Sequence, residues 1–413
     1  IGTILRRLYP RSFRMKWIVF LLLVSFLYLS HLSDYYNYYY HSSSSSFLRD
    51  KEELNHPNEN IIDIPSNGTT LTSGNNSNFV RKLPPALNRK RIRERYIKEK
   101  GPLISMLEKQ ADVTMTPQLV QELPSWSEIV KRYGVGPRLE PNFKEKCQRF
   151  RQHLPQSKRF VGVAGMFNTG TNALAYLLEK NTCYFKDHPP KPRALQWQVP
   201  WGKHRPASDR HTHVEACCPR VKESQTLAVV MIRDPLIWKH SMCRYSYNLH
   251  WKNTPQVRLG YCPSTLRASH PIQFIDGNTF LPINEWDSIF HYWNDWNGLY
   301  YHDDDDTNFH IMIRFEDMLF YPERMARLIC NCAGGTPQWN ATNFELPKDN
   351  LKAGDLGHGP QTAKTSNLLK SILKYGKRSY RLQNFTSEDV EFAKRVLDKE
   401  IMKTFHYQVE DKI

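Results

Sequence analysis

Three short runs, "RFVGVA" (159–164), "TLAVVMI" (226–232) and "FHIMIRF" (309–315), are apolar almost from end to end, and they restrict the fold more than any other feature of the chain. A strand with one wet face alternates polar and apolar residues, so a strand without alternation has to be buried on both faces. A parallel sheet covered on each side by helices meets that condition, and amphipathic segments lie between the runs. The sequence therefore predicts an α/β domain over residues 146–413, with a central parallel sheet flanked by helices. Helices are expected at 171–180, 236–248, 285–300, 322–331 and 387–405. In the third, Trp286, Ile289, Phe290, Trp293 and Tyr300 share one face and form a core stripe. The last opens on Thr386 and Asp389 in capping-box spacing and buries Val390, Ala393, Leu397, Ile401 and Phe405.

The N-terminal part is organised differently. "WIVFLLLVSFLYLSHL" (Trp17–Leu32) is uncharged and apolar, and Arg6, Arg7, Arg11, Arg14 and Lys16 precede it. A basic flank stays cytoplasmic, which predicts a cytoplasmic tail (1–16), one transmembrane anchor (17–32) and a lumenal remainder. Residues 33–101 contain a tyrosine run, "SSSSS", an Asn-rich stretch and the basic "RKLPPALNRKRIRERYIKEK". Such sequence builds no core and reads as a flexible lumenal stem. Residues 102–145 form a transition with short helices, "LPSWSEIVKRYG" being the clearest. A lumenal chain lets its eight cysteines pair, though their spacing does not choose a connectivity, and it suits the sequons at Asn67, Asn75, Asn340 and Asn384. The 57 Lys+Arg against 41 Asp+Glu favour an anionic partner. Neither a zinc-finger spacing nor an aromatic RNA-binding pattern accompanies that charge, so nucleic acid is not the reading.

The first apolar run leads into "GMFNTGTN" (165–172) and then "ALAYLLEK". Gly165 and Gly170 have the spacing of a phosphate loop, which makes the sheet P-loop-like, but Thr171 and Asn172 stand where an NTPase carries its Lys-Ser/Thr. The lysine for the terminal phosphates and the hydroxyl for Mg²⁺ are both missing, so NTPase and kinase chemistry are disfavoured. What remains is a strand-to-helix turn whose N–H groups cradle an anion, with the Thr169 and Thr171 hydroxyls as further donors. The second run ends in "RDPLIWKHS", with Arg233 at the strand's carboxyl end and Ser241 eight residues later on a helix. An arginine fork and a hydroxyl there make a second anion site.

The pair resembles the two nucleotide motifs of the sulfotransferases that use 3′-phosphoadenosine 5′-phosphosulfate (PAPS), Golgi-type carbohydrate sulfotransferases in particular. "IRFEDMLFYPERM" (Ile313–Met325) and "LDKEIMKTFHY" (Leu397–Tyr407) resemble later family segments, and the similarity spans about residues 158–407. The resemblance implies that Asn168, Thr169, Gly170, Thr171 and Asn172 hold the 5′-phosphosulfate and that Arg233 and Ser241 hold the 3′-phosphate. It also implies a type II Golgi membrane protein with a lumenal catalytic domain and no metal. Asn168 occupies the position of the family's lysine, which stabilises the oxygen bridging phosphate and sulfate. A replacement cation is expected from the His- and Lys-rich segment 183–218, where the family keeps its general base. His204 is the favoured base and Lys203 the favoured cation, ahead of His188 and Glu215; Lys186, Asp187, His211 and His213 are further candidates. Lys364, with Arg378 behind it, is the expected C-terminal contact to the nucleotide. The acceptor is expected to be a carbohydrate hydroxyl. Two other readings stand beside this one. Asp303–Asp306 satisfy the D-x-D pattern of a metal-dependent Golgi glycosyltransferase, and a PAPS fold that has lost catalysis would serve as a binding protein.

Overall fold

The structure, a computed structural model, describes residues 87–191, 193–215, 220–252, 266–275, 282–340, 342–346 and 368–410. The expected anchor, most of the expected stem and Lys364 lie outside these residues. Among the described residues no helix is long and apolar enough to cross a membrane.

Four helices come first: α1 (Leu87–Gln110), α2 (Pro117–Glu122), α3 (Trp126–Tyr133) and α4 (Phe143–His153). The α1 helix runs straight through Gly101, where the stem was expected to end. Leu103 and Leu107 on α1 and Ile129 and Tyr133 on α3 are buried in the same cluster as Val161, Val229 and Ile311 of the sheet. The 102–145 segment is thus part of the domain rather than a transition. Its third helix starts where a capping box, Ser125 with Glu128, closes both ways.

The sheet region continues with β1 (Phe160–Gly165), α5 (Thr171–Lys180), β2 (Cys183–Tyr184), β3 (Leu195–Gln196), β4 (Thr226–Ile232) and α6 (Pro235–Arg244). It is followed by β5 (Leu249–Trp251), β6 (Ile272–Ile275), β7 (Pro282–Trp286), α7 (Ile289–Tyr301), β8 (His310–Arg314), α8 (Phe315–Phe320), α9 (Pro322–Ala333) and β9 (Thr336–Pro337). Helices α10 (Leu368–Tyr375), α11 (Arg378–Arg381), α12 (Ser387–Val396) and α13 (Lys399–Thr404) end the described chain. The central sheet has the order β3-β1-β4-β8 with every pair parallel, as the three apolar runs require.

Strand alternation splits the core into two layers. Val161, Val163, Val229 and Ile311 face a layer with Phe150 of α4, Leu174 of α5 and Ile329 of α9. Ala164, Ala228, Val230 and Met312 face the other, with Trp293 of α7, Val390 of α12 and Ile401 of α13. Two disulfides, Cys147–Cys332 and Cys183–Cys330, tie α9 to α4 and to β2. Cys243 is disulfide-bonded as well. Asn340 and Asn384 are exposed, as glycan acceptors need to be.

Two expected helices are corrected. The 285–300 segment begins as a strand: β7 pairs with β6 in a three-stranded antiparallel sheet with β5, and α7 starts at Ile289. The Ser288 hydroxyl accepts from the N–H groups of Phe290 and His291 and fixes that start. Trp286 therefore packs on Tyr292 from the strand, with ring centroids 4.6 Å apart. The 387–405 helix is broken after Val396, because the Asp398 carboxylate caps Ile401 N–H at 2.8 Å and starts a new helix. The apolar stripe survives the break, with Val390, Ala393, Leu397, Ile401 and Phe405 all buried.

Candidate active site

The registers Gly165↔Met231 and Ile232↔Arg314 bring the carboxyl ends of β1, β4 and β8 to one edge of the sheet. The chain leaves β1 for β3 on one side and returns to β4 on the other, so a crevice opens between β1 and β4. Ligands of such sheets bind there.

The β1 loop is a tight turn that needs unusual backbone at two positions. Asn168 has φ +62° and Gly170 φ +92°, both left-handed. At Gly170 a Cβ would lie 2.5 Å from Phe315 Cδ2, so glycine is required by contact as well as by φ. Gly170→Ala is expected to cost about 2 kcal/mol or more of stability in chemical denaturation, from left-handed strain plus the ring clash. Helix α5 follows with no side-chain cap, leaving its first N–H groups for another partner. Thr171 is buried at that first turn. The Thr169 hydroxyl donates to Met166 O at 2.7 Å, so its proton already serves the turn, contrary to its expected role as a donor to the anion.

Arg233 joins this loop to the second motif. It is 4 % exposed, and its guanidinium donates to Asn168 O and to the Tyr375 hydroxyl. Its Cζ lies 4.6 Å from the Phe315 ring centroid and 4.8 Å from that of Tyr375. Its Nε is buried and has no hydrogen-bond partner among the described residues. Trp238 Nε1 donates to Phe167 O at 2.7 Å and holds the same loop. Asn168 is committed to the joint: its Nδ2 reaches Tyr245 O at 2.7 Å and Ser241 O at 3.2 Å, with Met242 Sδ also at 3.2 Å. Both amide hydrogens serve the carboxyl end of α6, which explains why α6 stops at Arg244 instead of continuing to 248. Ser241 is on α6 with its hydroxyl donating weakly to Ile237 O at 3.4 Å.

Further basic side chains lie near Arg233 that sequence reading did not single out. Arg244 Nη1 donates to the Tyr380 hydroxyl at 2.8 Å. Lys374 is pushed down to about 8 by burial and by Arg244, Lys370 and Arg233 nearby. His240 is buried and pushed down to about 3, by desolvation first and then by Lys239 and Arg244, and its Nε2 has no hydrogen-bond partner among the described residues. A wall of side chains that crowds like charges and leaves the Arg233 Nε without a partner among the described residues suits an anion. One signal was available in the sequence: Arg244 follows Ser241 by three residues, so both share a helix face. Arg378, by contrast, pairs with Glu410 at the surface.

Behind this wall Asp234 caps α6 through Leu236 N–H at 2.9 Å and pairs with buried Arg381 at 2.5 Å. Glu316 accepts from Asp234 N–H and from the Tyr407 hydroxyl. Burial, and then the Asp234 charge, push Glu316 up to about 7 from its ordinary 4.5. Because its folded pKa lies above the unfolded one, its stabilising contribution is complete below about pH 4.5 and lost as pH rises through about 7. Relative to wild type, Glu316→Gln is therefore expected to gain about 3 kcal/mol between those pH values, read by urea denaturation across the range.

On the other side of the loop, Lys203 and His204 are clamped to the last residue of β1. Gly165 N–H donates to Lys203 O at 2.8 Å, and His204 Nδ1 meets Gly165 O at 2.8 Å. A carbonyl only accepts, so Nδ1 carries the hydrogen and Nε2 of the neutral ring carries the lone pair. Lys203 Nζ donates to Asn172 Oδ1 at 2.6 Å, in the first turn of α5, and stands 4.4 Å from the Trp197 ring centroid. The loop, Arg233 and the Lys203–His204 pair are thus brought together.

Of the remaining candidates, Glu215 lies beside this pair, against Gly202 and Arg205, and the others are elsewhere. His188 packs on Phe160, the first residue of β1, with centroids 5.0 Å apart, at the opposite edge of the sheet. Glu215 interacts with His213 at 3.3 Å and Arg205 at 3.7 Å. Lys186, Asp187 and His211 are exposed. The acidic run also lies at the opposite edge, before β8. Asp303 pairs with Arg210 at 3.1 Å, Asp305 accepts from Thr307 N–H at 2.8 Å, and Asp306 pairs with Arg149. Among the described residues no group of three His, Cys, Asp or Glu side chains is arranged to hold a metal.

Comparison with known proteins leaves this geometry to speak for itself: no family model matches the chain, and neither does a curated protein or a solved structure.

Proposed function

We propose that the protein is a membrane-anchored Golgi sulfotransferase that moves a sulfuryl group from PAPS to a carbohydrate hydroxyl. The observation that carries this reading is Arg233: a buried arginine at the end of β4 that grips the β1 loop while its Nε has no partner among the described residues and Arg244 and Lys374 lie nearby. Two anion sites joined by one side chain match a donor with phosphates at both its 5′ and 3′ positions. The N–H groups of the β1 loop and of the first turn of α5 would hold the 5′-phosphosulfate. Arg233, Ser241, Arg244 and Lys374 would hold the 3′-phosphate.

The donor supplies an activated sulfuryl group whose leaving group is 3′-phosphoadenosine 5′-phosphate. The chain's own residues supply the rest. His204 takes the proton of the attacking hydroxyl on Nε2, and Gly165 O holds the Nδ1 hydrogen throughout. Lys203, fixed on Asn172 at the helix start, provides the positive charge that Asn168 does not. The D-x-D alternative is weaker, since three of its four carboxylates are held by protein partners at the far edge of the sheet. Calorimetry with 3′-phosphoadenosine 5′-phosphate against 5′-AMP tests the reading: the 3′-phosphate should contribute about a hundredfold in affinity. Equal affinities, or metal-dependent UDP-sugar binding, would sink it.

A further inference from the structure

We propose that Phe167 and Tyr247 are positioning residues that hold the His204 imidazole as a proton acceptor. The inference rests on His204 being the base in the reading above. A hydrogen bond from Nδ1 to Gly165 O fixes which nitrogen carries the proton. Stacking orients the plane. The Phe167 ring lies 4.4 Å from His204 at 30° and 4.5 Å from Tyr247 at 24°. Phe274 of β6 adds a third near-parallel ring 6.2 Å from Phe167 at 28°. All four side chains are half-buried, between the β1 loop, the segment after α6 and the small antiparallel sheet.

The backbone shows that this stack is held in place rather than incidental. Tyr247 has φ +54°, a left-handed conformation that a bulky residue keeps only where the surroundings impose it. The segment leading to it is anchored two residues earlier, where Tyr245 O accepts from Asn168 Nδ2. Phe167 is fixed from the other end, its carbonyl accepting from Trp238 Nε1. The asparagine at the family's lysine position thus acquires a role: it ties the phosphate loop to the segment that delivers Tyr247 to the stack.

Neutral histidine in water prefers its proton on Nε2, so the clamped ring is in the less common tautomer, the one with its lone pair at Nε2. This is observable without turnover. In the full chain labelled with ¹⁵N-histidine, His204 is assigned by the resonance lost in His204→Gln and is expected to show the Nδ1–H pattern. Tyr247→Leu and Phe167→Leu should return it to the averaged tautomer and lower kcat about ten- to a hundredfold, because a ring displaced by an ångström loses its alignment. Donor KM and affinity for 3′-phosphoadenosine 5′-phosphate should stay within about twofold, which also shows that the variants fold. Tyr247→Phe and Phe167→Tyr keep the stack and should restore both readouts. Leucine variants that keep the Nδ1–H pattern and wild-type kcat would overturn the proposal. Full turnover in His204→Gln would instead overturn the base assignment, while the tautomer measurement would still report on the stack.

Discussion

Replacing Arg233 by alanine is expected to weaken binding of 3′-phosphoadenosine 5′-phosphate about a hundredfold or more, a loss of about 3 kcal/mol. The size follows from the side chain's position. Arg233 is buried, and its fork spans the Asn168 carbonyl and the Tyr375 hydroxyl. Alanine removes the charged donor proposed for the ligand and also leaves both of those groups without theirs, so the loop proposed to cradle the 5′ end loosens at the same time. The unliganded variant should melt earlier, and binding has to be measured by calorimetry well below its transition. Arg233→Lys is not conservative, because a point charge cannot reach both partners and keep a third donor for the ligand; about a tenfold loss is expected. Ser241→Ala should be milder still, since that hydroxyl makes only one long bond within its own helix. Equal affinity for wild type and Arg233→Ala would remove Arg233 from the site.

The second large effect is on chemistry rather than binding. His204→Ala is expected to lower kcat by about 10²–10⁴ while leaving nucleotide affinity close to wild type. The separation arises because His204 bonds to the end of β1 and presents its other nitrogen away from that bond, and the nucleotide donors are on other residues. Lys203→Ala should also reduce kcat, through the charge lost at the start of α5. The two substitutions should not add fully, since the backbone of one residue and the ring of the next share the Gly165 clamp. A His204→Ala protein that lost nucleotide binding in step with turnover would mean that the ring supports the loop instead of taking a proton.

The fold was legible where burial left a pattern. β4 matches its expected span, and β1 and β8 are displaced by a residue at their ends, because strands buried on both faces cannot alternate. The α5 helix and the tight turn before it were legible for a related reason: glycine at 170 is needed both for a left-handed turn and for contact with Phe315. What the sequence hid was made by tertiary contact. The β7 strand pairs with the preceding β6 in a small antiparallel sheet apart from the central one, and its last two residues, Glu285 and Trp286, read as the first turn of α7. The break before α13 depends on Asp398 finding Asn294 of α7, whose Oδ1 accepts its N–H at 3.0 Å. Likewise the cations beside Arg233 come from α6 and α10, distant in sequence and joined only by folding. Asn168 is the instructive residue. Read as a catalytic position it looks defective; in the structure its amide binds the end of α6, and the nearby charge belongs to Lys203.

The central claim is sulfuryl transfer from a doubly phosphorylated nucleotide, and the most direct measurement is ³⁵S transfer from labelled PAPS by the purified full chain to a pool of polysaccharide acceptors. Incorporation that needs no added metal, persists in EDTA and disappears in both Arg233→Ala and His204→Ala is the predicted result. Binding of 3′-phosphoadenosine 5′-phosphate with no transfer to any acceptor would contradict it and leave a nucleotide-binding protein without catalysis.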